Sequence, residues 1–225
     1  MAKPTPETPG PAPIDLVKAT YIGHGWKRIC FIHPGDPSRC IKVGYWGRIK
    51  GWGWRDRLFN MRLDRGAGAV LNRRELKAYG RIGTVLADYV PRYHGPIATT
   101  LGDGLECDLV RDATGGPAKQ LRPWLENATA EESAKLRAQF ETLFDLLHRH
   151  EIWLFDLNTS NFVVQESEDG TARMWLIDLK RAADHKEIFQ ITAWTRGQKH
   201  RKLTRRINRF YDRFDFLASG GTKGS

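Results

Sequence analysis

His148-Arg-His-Glu-Ile-Trp-Leu-Phe-Asp156-Leu-Asn-Thr-Ser-Asn161-Phe-Val-Val164, then a short turn region and Met174-Trp-Leu-Ile-Asp178-Leu-Lys180, is the stretch on which the chain's reading turns. It sets a carboxylate, Asp156, and a carboxamide, Asn161, five residues apart on a loop that runs straight into an apolar strand. A second carboxylate, Asp178, closes the next apolar strand, residues 174–177. Magnesium prefers oxygen ligands, so an Asp and an Asn at adjacent strand ends can hold it against phosphate oxygens. Asp156 then remains to accept a proton from an attacking hydroxyl.

This run resembles the catalytic loop and metal-binding Asp of protein-kinase-like enzymes, H-x-D-x-x-x-x-N followed by the D of D-F-G. Over roughly residues 21–214 the chain resembles the YrbL-type proteins of the PhoP regulatory network, which are related in pattern to lipopolysaccharide-core and Kdo kinases. The resemblance implies an α+β, two-lobed protein-kinase-like fold, with a small antiparallel-sheet N-lobe and a reduced helical C-lobe. It also implies ATP and magnesium as cofactors. Asp156 would orient and deprotonate the acceptor hydroxyl, Asn161 and Asp178 would hold the metal, and Lys42, fixed by Glu75, would position the phosphates.

Upstream, the order of features fits. Strand-like segments at 19–23, 29–32 and 40–43 form a meander, with Gly23-His24-Gly25 at its first bend and a turn over residues 33–38. Gly23 and Gly25 permit a close backbone approach to phosphate, or form a bland tight turn. The kinase loop has a third glycine where this chain has Arg28. Lys42 lies between apolar neighbours in the third strand. Residues 71–83 have helical periodicity through Leu71, Leu76, Tyr79 and Ile82 and carry Glu75. Strands are expected at 90–96 and 106–110, with residues 99–104 as their turn. By resemblance, Leu109 and Val110 begin the hinge whose backbone would pair with adenine.

Lys42 and Glu75 are separated by 33 residues because of an insert over residues 44–68. It interleaves Trp46, Trp52 and Trp54 with Arg48, Lys50, Arg55, Arg57, Arg62 and Arg65. Such a mixture suits a membrane interface or an anionic glycolipid, single-stranded nucleic acid, or a solvated loop anchored by its indoles. Downstream, Thr129 caps a helix that carries Glu131 and Glu132 in its first turn and presents the catalytic loop. His148 would pack at its end or sit near the loop backbone. Residues 199–214 form a basic amphipathic helix, with Leu203, Ile207, Phe210, Tyr211 and Phe214 inward. A short helix is expected near residues 189–192.

These signals divide the chain into a disordered leader (1–15), an N-lobe (16–112), a C-lobe (113–218) and a tail (219–225). A net charge of +10 and a pI of about 9.7 call for an anionic partner. A nucleotide is the first such partner; an anionic glycolipid or membrane surface, met by the insert and the basic helix, is the second. No nucleic-acid motif is present, so nucleic acid ranks last. No apolar run reaches the roughly 20 residues of a membrane span, which places the protein in the cytoplasm, with the inner-membrane surface as a peripheral site. Cys30, Cys40 and Cys107 form no C-x-x-C pattern; Cys30 and Cys40 face each other across a hairpin or are separate reduced core thiols.

Three functions remain: a kinase acting on an alcohol, a pseudokinase with a regulatory role, and a nucleic-acid-binding protein. Leu154 and Phe155 stand where protein kinases carry His-Arg, Leu179-Lys180 replaces Phe-Gly, and only 47 residues follow Asp178. These departures favour a sugar or glycolipid acceptor over a protein.

Overall fold

A computed structural model describes residues 12–25, 28–44, 65–179, 182–183 and 196–221. Most of the leader, residues 45–64 of the insert, the helix expected near 189–192 and the last four residues lie outside the described residues. Of Arg65 only the backbone is described.

The N-lobe is a five-stranded antiparallel sheet of order β1-β2-β3-β5-β4, made of β1 (Tyr21–His24), β2 (Arg28–His33), β3 (Asp36–Gly44), β4 (Tyr93–Thr99) and β5 (Gly102–Asp108). Strands alternate side chains between faces, and β3 uses both. Ile41 and Val43 point into an outer cluster with Leu16, Ala19, Ile29 and Phe31. Cys40 and Lys42 therefore take the inner face, opposite Cys107 and Leu105 of β5. A helix, α1 (Arg65–Ile82), covers that face and buries Ala78 and Ile82 against it. Burying a Val, Leu or Ile side chain is worth about 1.5–3 kcal/mol, so this packing holds the lobe.

Both hairpin turns are tighter than the sequence indicates. The β2–β3 turn is Pro34-Gly35 rather than residues 33–38, and β3 begins at Asp36 with Pro37 inside it. A proline cannot donate to the ladder, and the register shift at Ile32/His33 accommodates it. The β4–β5 turn is Thr100-Leu101 rather than 99–104. Pro96 is tolerated because β4 is an edge strand. Gly104 in β5 is required by packing: a Cβ there would stand 2.6 Å from Ile41 Cγ2.

Of the two cysteine readings, separate reduced thiols is the one the structure bears out. Register sets Cys30 opposite Lys42 and Cys40 opposite Cys107, with the Cys40 and Cys107 sulfurs 3.4 Å apart. All three thiols are free.

The C-lobe follows through β6 (Lys119–Gln120), α2 (Leu121–Leu125) and α3 (Ala130–Arg149), then β7 (Trp153–Leu154), β8 (Phe162–Glu166), β9 (Ala172–Leu176), β10 (Ala182–Ala183) and α4 (Arg196–Ala218). Small sheets β6-β8-β9 and β10-β7 complete it. Thr129 and Glu132 form a reciprocal capping box at the start of α3. At its end Glu151 takes φ 51°, the left-handed turn that commonly stops helices, and Ile152 N–H closes on Leu147 O at 2.9 Å. Gly170 supplies the positive φ of the β8–β9 turn.

Phe140 of α3 is fully buried, with ring centroids 5.0 Å from Phe162 of β8 and 4.7 Å from Phe210 of α4. This aromatic cluster locks α4 against β8. As the periodicity requires, Leu203, Ile207, Phe210 and Phe214 face inward, while Tyr211 is half-buried and edges Phe144.

Candidate active site

Lys42 reaches from the inner face of β3 toward α1 and across to the C-lobe. Its ammonium donates to Glu75 Oε1 at 2.8 Å, to Tyr93 OH at 3.2 Å and to Ile177 O at 2.7 Å. Burial opposes its charge, yet the Glu75 carboxylate keeps it above the ordinary lysine range. Glu75 is itself fully buried. Burial alone would push its carboxyl up, but Lys42 and Arg28 hold it down at about 2. Tyr93 donates its hydroxyl to the same oxygen as Lys42.

The loop after β7 is built from its own backbone. Asn158 Oδ1 accepts the Ser160 N–H at 3.3 Å and caps a single 3-10 turn, Thr159–Asn161. Asn161 Nδ2 donates to Asp156 O at 2.8 Å, which fixes the spacing of the two residues. The Asn161 carbonyl accepts the Ile177 N–H at 2.9 Å. Asp178 therefore leaves its strand beside the loop that carries Asp156. Lys42, Glu75, Asn161, Asp156 and Asp178 form one connected network across the two lobes.

Gly23 and Gly25 lie at the β1–β2 hairpin, where Gly25 N–H donates to Arg28 O at 2.9 Å. Among the described residues nothing lies within 4 Å of where a Cβ at either glycine would stand, so their packing does not demand the smallness of these glycines. At the hinge, Leu109 N–H donates to Ser38 O at 2.8 Å and Val110 O accepts the Ala118 N–H at 2.9 Å. Those two backbone groups are therefore engaged by the protein, which narrows what the hinge can offer a base. His148 stacks on His200, with ring planes 8° apart, so it packs at the helix end rather than against the loop. Burial and His200 lower its pKa below the usual histidine value.

Three site residues escape the sequence reading. Arg28 donates to Glu75 Oε2 and sets its other terminal nitrogen 3.1 Å from Asp178 Oδ1. A signal for it exists: Arg28 and Cys30 share a face of β2, and Cys30 is opposite Lys42, so alternation aims Arg28 into the cleft. Tyr93 carries no such signal. Arg206 of α4 donates to Phe155 O, and its guanidinium lies 5.3 Å from the Phe155 ring centroid. Protein kinases have an arginine directly before the catalytic Asp; here a guanidinium reaches the same neighbourhood from another helix. Its signal is its place at the border of the apolar stripe of α4, three residues after Leu203.

The donors suit magnesium. Asp178 offers a carboxylate, and Asn161, with Nδ2 given to Asp156 O, has an amide oxygen to offer. One or two protein oxygens with the rest from phosphate is magnesium's usual arrangement in nucleotide sites. Among the described residues no group of three His, Cys, Asp or Glu could bind a metal unaided. No described helix is long and apolar enough to cross a membrane.

Comparison with known proteins agrees with this architecture. The chain is 33% identical over 161 residues to the uncharacterized protein YrbL of Escherichia coli (strain K12), covering 69% of each chain. The Shigella flexneri protein of that name matches with the same identity and coverage. Among solved structures, the Rio2 kinase of Chaetomium thermophilum in its ADP/Mg²⁺-phosphoaspartate complex superposes with a TM-score of 0.52 at 16% identity. That match covers 92% of this chain and 62% of the kinase chain. The fold is thus protein-kinase-like and α+β. The sequence pattern described as PhoP regulatory network protein YrbL matches residues 14–215, nearly the whole chain, and with the identity to the E. coli protein this establishes that the chain belongs to the YrbL family.

Proposed function

We propose that this protein is an ATP- and magnesium-dependent phosphotransferase whose acceptor is a hydroxyl of a sugar or envelope glycolipid. The observation that carries the proposal is the buried Lys42–Glu75 pair, joined through Ile177 O to the strand end that bears Asp178. A lysine held this way has its charge fixed where phosphates would lie, so binding needs no rearrangement of the cation. Asn161 and Asp178 would hold magnesium, which when bound neutralises phosphate charge. Asp156 would orient the acceptor hydroxyl and take its proton. Among the described residues nothing crowds Gly23 or Gly25, which leaves room for phosphate at the hairpin. The Rio2 kinase structure contains ADP and Mg²⁺, and the shared fold supports the same pair of ligands here.

Support for the acceptor comes from the basic face of α4. Arg201, Lys202, Arg205, Arg206, Arg209 and Gln198 line, among the described residues, a concavity of about 560 Å³ on α4. It adjoins Phe155 through Arg206. A dense positive wall tied by Arg206 to the residue before Asp156 favours an anionic acceptor or an anionic membrane surface. The test is Asp156→Asn: it should bind MgATP like the wild type yet release no ADP in the presence of sugar or glycolipid acceptors that the wild type phosphorylates. Equal loss of nucleotide binding in Asp156→Asn would contradict the role.

A second reading, a regulatory module that does no chemistry, is favoured by one observation: Arg28 lies on Asp178, the residue that a metal would need. Failure of the wild type to bind nucleotide at millimolar MgATP would select it.

A further inference from the structure

Two cations and two carboxylates meet in this cleft. Lys42 and Arg28 share Glu75, and Arg28 also reaches Asp178, at 3.1 Å. All four side chains are largely withdrawn from water, the most accessible being Asp178 at 13%. Among these four side chains the charges balance, with Arg28 as a counter-cation of Asp178. Burial weakens any cation, yet Glu75 and Asp178 together hold the Arg28 pKa above the usual arginine value. Arginine also differs from the glycine found at this place in protein kinases: its planar fork binds carboxylate and phosphate alike.

We propose that Arg28 is a phosphate-binding residue of the nucleotide site that stands in for the divalent cation at Asp178 until nucleotide arrives. This rests on the phosphotransferase reading and adds an order of assembly. An incoming triphosphate meets Arg28 and Lys42 and draws the guanidinium from the carboxylate to a phosphate oxygen. Asp178 then becomes available to magnesium together with that phosphate. Metal alone is disfavoured, because it would have to displace Arg28 from Asp178 with no phosphate to receive the guanidinium. The site consequently accepts metal-free ATP better than one that relies on magnesium for all of its positive charge.

The measurement is equilibrium binding of ATP by calorimetry, once with excess EDTA and once with excess Mg²⁺, on the full chain. For Arg28→Gln the affinity for ATP in EDTA should fall relative to that for MgATP by roughly tenfold or more, within the range of two-site couplings. Arg28→Lys, which keeps the charge, should lose less. Asp178→Asn should do the opposite, releasing Arg28 and tightening metal-free ATP while abolishing the magnesium effect. Far-UV circular dichroism establishes that each variant is folded, and Asp178→Asn alone decides the matter if Arg28→Gln is not. Wild-type binding of MgATP with an unchanged EDTA-to-Mg²⁺ ratio in Arg28→Gln, or no tightening in Asp178→Asn, overturns this inference and leaves the phosphotransferase reading standing. Absence of any nucleotide binding by the wild type overturns both.

Discussion

Lys42 Nζ of the N-lobe lies 2.7 Å from Ile177 O, the carbonyl directly before Asp178. One side chain thus ties the sheet, the helix that carries Glu75 and the strand end that carries Asp178. The lobes are not merely adjacent: the position of Asp178 depends on a cation that is itself held by Glu75.

Removing that cation exposes the coupling. Lys42→Met keeps the apolar volume but leaves part of the Glu75 charge uncompensated in a buried place. Breaking one side of such a pair costs about 3–5 kcal/mol, and the retained Arg28 should bring the loss toward the lower end. Glu75→Gln should be similarly costly, and the double variant should lose less than the sum. Urea unfolding of the four proteins gives the cycle; strict additivity would show that the pair is not coupled.

Acid should act through Glu75. Its folded pKa of about 2 lies below the usual 4.5, so its stabilising contribution is complete above pH 4.5 and is lost as pH falls toward 2. The linked free energy is on the order of 3 kcal/mol. Stability measured at pH 7 and pH 3 should drop more steeply in the wild type than in Glu75→Gln. Parallel pH profiles would contradict the assignment.

Arg206→Ala should separate binding from transfer. Arg206 donates from α4 to Leu154 O and Phe155 O, the backbone that leads into Asp156. MgATP affinity should stay near wild type while turnover falls by about tenfold or more, since small misplacement of a catalytic group is costly. Loss of nucleotide affinity of the same size would place Arg206 elsewhere in the mechanism.

Phe140→Ala tests the C-lobe core. Its ring is fully buried among Phe162, Phe210 and Phe214, so truncation should cost about 3–5 kcal/mol. Thermal unfolding should register it, and Thr129→Ala, which loses the capping box, should cost only about 1 kcal/mol. A reversed ranking would mean that α3 is held by its cap rather than its packing.

Much of this architecture was legible because it rests on local pattern. The Asp156 and Asn161 spacing, the apolar strand that leads to Asp178, and the Thr129 cap with Glu131 and Glu132 behind it each depend on neighbours in the chain. The contacts that sequence concealed join distant residues. Tyr93 meets Glu75 across 18 residues and Arg206 meets Phe155 across 51, and nothing in either neighbourhood announces its partner. Arg28 was visible as a departure from a glycine, but its meaning required the β2–β3 register. The cysteines show the same limit: Cys40 finds Cys107, 67 residues away, through strand order. The short turns were missed because prolines that usually break strands are here absorbed by a register shift and an edge position.

The most direct test of a working nucleotide site is the thermal unfolding midpoint of wild type and Asp178→Ala, each with and without millimolar MgATP. A ligand that binds only the folded state must raise the midpoint. The wild-type midpoint should rise with MgATP by several degrees, as a stabilisation of about 1–2 kcal/mol gives for a domain of this size, and in Asp178→Ala the rise should fall back to what ATP gives in EDTA, its Mg²⁺-dependent part having vanished. An unshifted wild type, or an equal shift in the variant, would contradict the assignment of Asp178 to a magnesium-nucleotide site.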